Sequence, residues 1–301
     1  MKARKARVSV GICAYNEEKN IRQLIKQVFA QKGELWELLE IVVNTDNCSD
    51  RTVPYLKAFG DKRIVLLEQN ERRGKPYGVQ QILKKFRGDY LVVLDADVML
   101  GDNRVIERMV KAFVSDSQVM LVGANTRPFE PKTFFERAVY ATFRVYEKSR
   151  SLNGGNTVFG FTGGGMAIAG KFAREVEFPG DILNEDDFFF FTARQKGYGF
   201  RHVQEAEIYY KLPQKLSDYV RQIFRSDPGA AVINFEDRFG QMVHDEYHRP
   251  FGFMVKSVWQ SFLADPLPAL YVIAVNMVCR PLYGIISPRY KLSWYTAEST
   301  K

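Results

Sequence analysis

Four apolar residues, Leu91, Val92, Val93 and Leu94, run straight into Asp95-Ala96-Asp97. An apolar run of this length reads as a strand buried on both faces. Such a strand belongs in an open sheet covered by helices, and ligands of those sheets bind at the carboxyl ends of the strands. Two carboxylates one residue apart at that end would repel each other and raise a pKa. A divalent cation with a bound diphosphate relieves the conflict, because hard oxygen ligands suit Mg²⁺ or Mn²⁺. The same residues also suit a strand followed by an acidic turn or a helix N-cap.

Strand and helix signals alternate through the first half of the chain. Runs at 8–13, 38–43, 63–68 and 118–123 read as strands. Ile21, Leu24, Ile25, Val28 and Phe29 recur at helical spacing, and further helices are expected near 53–59, 76–86 and 104–114. Pro76 is tolerated in a first turn. Asn16 is expected to cap the first helix, with Glu17 and Glu18 favouring its dipole. This alternation predicts an α/β fold with a doubly wound, mainly parallel sheet.

The second half changes character. A long amphipathic helix is expected at 132–150, where Phe134, Phe135, Tyr140, Phe143 and Tyr146 read as packing residues. Gly163-Gly164-Gly165 marks backbone that bends or approaches a ligand closely. A short strand at 166–169 follows. Glu185-Asp186-Asp187 opens a helix that ends at Gly197, a suitable C′ residue. Short strands at 200–203 and 207–210 and a helix at 216–224 come next. Strand signals stop after Asp227-Pro228-Gly229, which places a boundary near 229.

The 301 residues are 46% hydrophobic and 26% charged, so the chain is globular. A net charge of +8 suits an anionic partner such as nucleic acid, nucleotide phosphates or a membrane face, or is simply a basic surface. Three scattered cysteines, Cys13, Cys48 and Cys279, suggest a reducing compartment and no zinc site. The basic first residues lack the apolar core of a signal peptide. No Gly-x-Gly-x-x-Gly opens the first helix and no Walker loop is present, which disfavours dinucleotide and P-loop readings.

Four segments fall at predicted strand ends: 14–17, 46–52, 74–75 and 95–97. In one sheet they converge on one crevice. Their acids suit a ribose, a base N–H or a metal, and Lys75 suits phosphates.

In this order, Ala14-Tyr15-Asn16-Glu17-Glu18, Asp46-Asn47-Cys48-Ser49-Asp50-Arg51-Thr52, Arg73-Gly74-Lys75, Asp95-Ala96-Asp97, Gly163-Gly164-Gly165 and Glu185-Asp186 resemble an inverting, metal-dependent glycosyltransferase of family 2. The resemblance covers roughly 8–226. It implies the A-type glycosyltransferase fold, with a catalytic domain at 1–229 whose nucleotide-sugar half is about 1–100 and acceptor half about 101–229. It implies that Asp46 contacts the base and Glu17 the nucleoside, beside Ala14, Tyr15 and Asn16. Lys75 would lie near the phosphates. Asp95, with Ala96, would sit by the ribose, and Asp97 would bind Mn²⁺ or Mg²⁺ on the diphosphate. Gly163, Gly164, Gly165 and Glu185 would meet the acceptor, and Asp186, with Asp187 as the alternative, would deprotonate it. Asp50 is expected to cap its helix.

One departure stands out. Processive members carry Gln-x-x-Arg-Trp, whereas this chain reads Gln222-Ile223-Phe224-Arg225-Ser226. The tryptophan is missing; Arg225 would reach the diphosphate or lie on a solvated helix face. The region 230–301 is expected to be helical. Runs at 251–263 and 268–286 are apolar, but Asn276, Arg280 and Pro281 interrupt the second. Helices on the cytoplasmic membrane face are therefore favoured over a span, against a soluble helical subdomain. The implied partners are a nucleotide-diphosphate sugar, UDP-linked above all, a lipid-linked or glycan acceptor and an anionic membrane surface, with no nucleic acid. The alternatives are a nucleotidyltransferase on a related fold and a noncatalytic nucleotide-sugar or membrane-binding protein.

Overall fold

The computed structural model describes residues 4–178, 182, 184–225 and 235–286. They divide into two compact units, one drawn from 1–127 and 160–210, the other from 128–159 and 211–301. The boundary expected near 229 falls in 226–234, outside the described residues.

The first unit holds one eight-stranded sheet. Its strands are β1 (Ala6–Ala14), β2 (Trp36–Asp46), β3 (Ile64–Gln69), β4 (Tyr90–Asp95), β5 (Met99–Leu100), β6 (Val119–Pro128), β7 (Gly165–Ala169) and β8 (Gly199–Tyr210), in the order β3-β2-β1-β4-β7-β6-β8-β5. β3, β2, β1 and β4 pair in parallel. β7 runs antiparallel to both β4 and β6, and β5 antiparallel to β8. The sheet is mixed: the wound parallel half is joined to a half containing antiparallel pairs.

Leu91, Val92, Val93 and Leu94 are all fully buried, as a strand covered on both faces requires. Helices α1 (Ile21–Phe29), α2 (Thr52–Lys57), α3 (Lys75–Lys85) and α4 (Val105–Ser115) belong to this layer. α1 buries Ile21, Leu24, Ile25 and Val28, and α4 buries Val105, Ile106, Met109, Val110 and Phe113. Both sets follow the 3.6-residue period.

Strand register brings the chemistry to one edge. Cys13 on β1 lies opposite Asn44 on β2 and Asp95 on β4. Leu94 lies opposite Gly165, so β7 starts where β4 ends. The carboxyl ends of β1, β2 and β4 and the turn before β7 therefore share one row.

Two expectations are corrected. Asn16 does not cap α1. It takes a left-handed conformation, with φ of 52°, and α1 begins later because Glu17 O accepts from both Asn20 N and Ile21 N. The pair of short strands at 200–203 and 207–210 is one continuous strand, β8. Gln204 and Glu205, which lie between the two expected strands, are exposed side chains within that one strand. Asp50 stands one residue ahead of the N-cap of α2, Arg51, and its carboxylate accepts from Thr52 N in the first turn.

Three more helices lie along the chain: α5 (Phe134–Arg150), α6 (Gly170–Glu175) and α7 (Glu185–Gln195). α7 buries Phe188, Phe189, Phe190 and Phe191 and closes on Gly197, at φ 74°. α8 (Leu216–Arg225) follows.

The second unit is built on α5. Thr133 Oγ1 accepts from Glu136 N, and Glu136 Oε2 accepts from Thr133 N, a reciprocal cap. The helices Phe251–Ala264 and Pro266–Ile286 belong to the same unit. Ser261 Oγ donates to Ala141 O at 2.7 Å, and Arg137 holds Asp265 through two bonds. Among the described residues no helix is long and apolar enough to cross a membrane.

Candidate active site

The site is assembled from the ends of β1, β2 and β4, the start of α3, the turn before β7 and the first turn of α7. Ala14 is buried at the end of β1, and Glu17 is also buried, its Oε2 accepting from Asn20 Nδ2. Asn16 braces the neighbouring loop: its Oδ1 accepts from Ser49 N at 2.8 Å. Tyr15 stacks under the Arg72 guanidinium at 3.9 Å. Asp46, expected at the base, accepts from Arg73 N and Gly74 N at 2.7 and 2.9 Å. Gly74, at φ 85°, supplies the left-handed turn that starts α3.

Lys75 is the first residue of α3 and is buried. Its Nζ lies 2.6 Å from Asp95 Oδ1, 2.7 Å from Glu185 Oε1 and 3.0 Å from Gly163 O. Burial pushes its pKa down, but Asp95, Glu185 and Asp186 outweigh burial and hold it above the usual lysine range. Glu185 is fully inside, and burial, more than any neighbour, pushes its carboxyl up.

Asp186 is half-buried. Its Oδ2 accepts from Gly163 N at 2.8 Å and its Oδ1 from Asp187 N at 3.0 Å. Burial first, then the Asp187 charge, pushes its pKa up to about 6. A carboxylate poised there can take a proton near neutral pH. Asp187 is buried and accepts from Asn184 Nδ2, which makes it part of the helix start.

Gly163 has a specific reason to be glycine. A Cβ there would lie 2.5 Å from Lys75 Nζ and 2.8 Å from Glu185 Oε1. Gly164 faces Thr126 and, at 3.9 Å from an added Cβ, Asp95 Oδ2. Gly165 opens β7 against Leu94. Two residues here were missed by sequence reasoning. Thr126 and Thr162 share a hydroxyl–hydroxyl hydrogen bond at 3.0 Å beside Gly164. The signal was the switch from apolar residues to Asn125-Thr126 at the end of β6, which runs the same way as β4. Burial above all pushes the Cys13 thiol up, which keeps it in the protonated, less reactive form. Arg225 ends α8, and its side chain lies outside the described residues.

A family model described as glycosyl transferase family 2 matches residues 9–176, more than half of the chain. The chain belongs to glycosyltransferase family 2. It is 24% identical over 241 residues to poly-beta-1,6-N-acetyl-D-glucosamine synthase of Staphylococcus aureus, a stretch covering 77% of this chain and 56% of that protein. It is 28% identical over 134 residues to undecaprenyl-phosphate 4-deoxy-4-formamido-L-arabinose transferase of Edwardsiella ictaluri, covering 44% and 40%. The chain spans about half the length of the curated relatives it matches. The fold is shared with a mannosyltransferase from Pyrobaculum calidifontis solved with GDP-Man and Mn²⁺, at a TM-score of 0.60 and 18% identity over 95% of this chain and 84% of that one. Glucosyl-3-phosphoglycerate synthase of Mycobacterium tuberculosis, solved with Mn²⁺ and UDP, gives 0.54 and 15% over 78% and 80%.

Among the described residues of this family 2 chain no three His, Cys, Asp or Glu side chains form a group that could hold a metal ion. What the end of β4 offers is carboxylate oxygen, from half-buried Asp95 and Asp97 on either side of buried Ala96. That donor set fits Mg²⁺ or Mn²⁺, which are commonly held by one or two carboxylates plus substrate phosphates and water.

Proposed function

We propose that this family 2 chain transfers a sugar, with inversion, from a nucleotide-diphosphate sugar to a hydroxyl of a lipid-linked or glycan acceptor. A UDP-sugar is the preferred donor. The observation that carries the reading is Asp186: a half-buried carboxylate pushed up to about 6 and fixed by Gly163 N, next to Glu185, which shares the Lys75 ammonium with Asp95 at the end of β4. Asp186 takes the proton from the acceptor oxygen as that oxygen attacks the sugar's anomeric carbon, and the bond to the diphosphate breaks on the opposite face. Ala14, Tyr15, Glu17 and Asp46 bound the nucleoside end, and Asp95 the ribose. Asp97 would hold Mn²⁺ or Mg²⁺, which when bound neutralises charge on the departing diphosphate. Gly163, Gly164 and Gly165 leave space for the acceptor.

The same reading places the protein on an anionic, cytoplasmic membrane face. Its support is the exposure of Phe251, Val255, Trp259, Leu263, Leu267 and Leu270 on two neighbouring helices of the second unit. Exposed apolar residues in such number mark an interaction surface.

The test is a panel of UDP- and GDP-sugars with Mn²⁺ or Mg²⁺, reading released nucleoside diphosphate. The parent should turn over at least one donor, and Asp186→Asn should lose ~10²–10⁴-fold while still binding it. Donor turnover unchanged in Asp186→Asn would remove the assigned base.

A further inference from the structure

Lys75 was expected at the phosphates, as basic side chains next to a nucleotide commonly are. Its surroundings point elsewhere. An ammonium has three N–H donors and no acceptor. Three acceptors stand around Lys75 Nζ at 2.6, 2.7 and 3.0 Å: Asp95 Oδ1, Glu185 Oε1 and Gly163 O. Its donors are therefore committed within the chain. Its backbone is also placed, since Lys75 opens α3 and its carbonyl faces Cys13 Sγ on β1.

The three acceptors come from three elements: the end of β4, the turn before β7 and the first turn of α7. Gly163 is held from both sides of its residue, its carbonyl by Lys75 and its N–H by Asp186 Oδ2. Asp186 follows Glu185 in the chain, and Glu185 returns to Lys75. The contacts close a ring: Lys75, Gly163, Asp186, Glu185 and back. Glycine at 163 leaves room for the ring as it stands, because an added Cβ would push on the ends of both the Lys75 and Glu185 side chains.

We propose that Lys75 is a positioning residue whose buried ammonium fastens the first turn of α7 and the Gly163 turn to the end of β4, and so aims Asp186 at the acceptor. Glu185 serves the same ring and does not contact the acceptor. The proposal rests on the reading of Asp186 as the base. In this role Lys75 separates three carboxylates that would otherwise repel. Its loss displaces Asp186 without removing any group that touches the donor.

The experiment uses the full chain with Lys75→Met, Glu185→Gln and the double variant. UDP and GDP with Mn²⁺ are the calorimetric probes. Turnover is read with the donor the parent accepts. Hydrogen exchange is followed in peptides covering 160–165 and 184–190. In Lys75→Met, turnover should fall ~10²-fold, as a misplacement of about 1 Å does, while diphosphate affinity stays within about threefold, a kcat effect without a binding effect. Exchange should quicken in both peptides and not in β1. Glu185→Gln should show the same pattern more weakly, and the double variant should fall well short of the product of the two losses, since both break one ring. Diphosphate affinity that drops in step with turnover would make Lys75 a phosphate ligand and overturn the proposal. Unchanged exchange in both peptides would overturn it as well. Should Lys75→Met fail to fold, the double variant, which removes both charges, carries the same binding and exchange readings. A parent that turns over no donor would sink the transferase reading alone, because exchange still decides whether the ring exists.

Discussion

Asp186 and Asp187 are adjacent carboxylates in different surroundings. Asp186 accepts from Gly163 N across the site, whereas Asp187 accepts from Asn184 Nδ2 in its own helix start. Asp187→Asn should therefore keep most of the turnover and cost ~0.3–1 kcal/mol of stability through the helix dipole, measured by denaturant melts. A collapse of turnover in Asp187→Asn alone would move the base by one residue. The pKa of about 6 at Asp186 sets a pH dependence. The base form is the minority below that pH, so turnover should rise through pH 6 and level off above it. Stability moves the other way for this group. Its folded pKa lies above the ordinary aspartate value of 3.8, so its contribution is complete below about pH 3.8 and lost as pH climbs through about 6. A pH–rate profile that is flat from 5 to 8 would contradict the assignment.

At the scale of elements, the strands were legible because burial on both faces leaves a continuous apolar run, as in β4, and the candidate acids Asp46, Asp95 and Asp97 were singled out because they stand at the ends of such runs. What the sequence hid was distance. Lys75 meets Gly163 across 88 positions, and no local pattern says that an ammonium will meet three acceptors rather than a ligand. Asn16 misled for a related reason: its side chain serves Ser49 in another loop, so a favourable cap residue does no capping. β8 was split because polar Gln204 and Glu205 imitate a turn. α5 gives an element-scale prediction. Its start rests on the reciprocal bonds of Thr133 and Glu136. Thr133→Ala should cost ~0.5–2 kcal/mol in thermal melts, and Thr133→Ser should cost much less. Equal losses would mean that the methyl group, not the cap, matters.

For the whole molecule, the second unit combines 128–159 with 211–301, so cutting the chain near 229 would strip the partners of α5 as well as the apolar helices. Substitution is the cleaner probe. Trp259, Leu263 and Leu267 are 58%, 59% and 73% exposed. Replacing all three by Glu should abolish binding to phosphatidylserine-containing vesicles in flotation and leave donor turnover intact; equal flotation of parent and variant would refute the membrane reading. Charge is distributed unevenly too. The chain carries +8 overall, yet among the described residues the cation that faces Asp95, Glu185 and Asp186 is Lys75, a balance of −2 for these four groups when all are ionised. On the proposed reading, a diphosphate that binds beside this cluster without a divalent cation meets repulsion, which bound Mn²⁺ would mask. We therefore expect an unusual ionic-strength signature: with chelator present, added monovalent salt should improve UDP affinity by screening like charges, and with Mn²⁺ present it should weaken it. The first arm would turn a poor ligand into a better one simply by adding salt, the reverse of what a basic nucleotide pocket does.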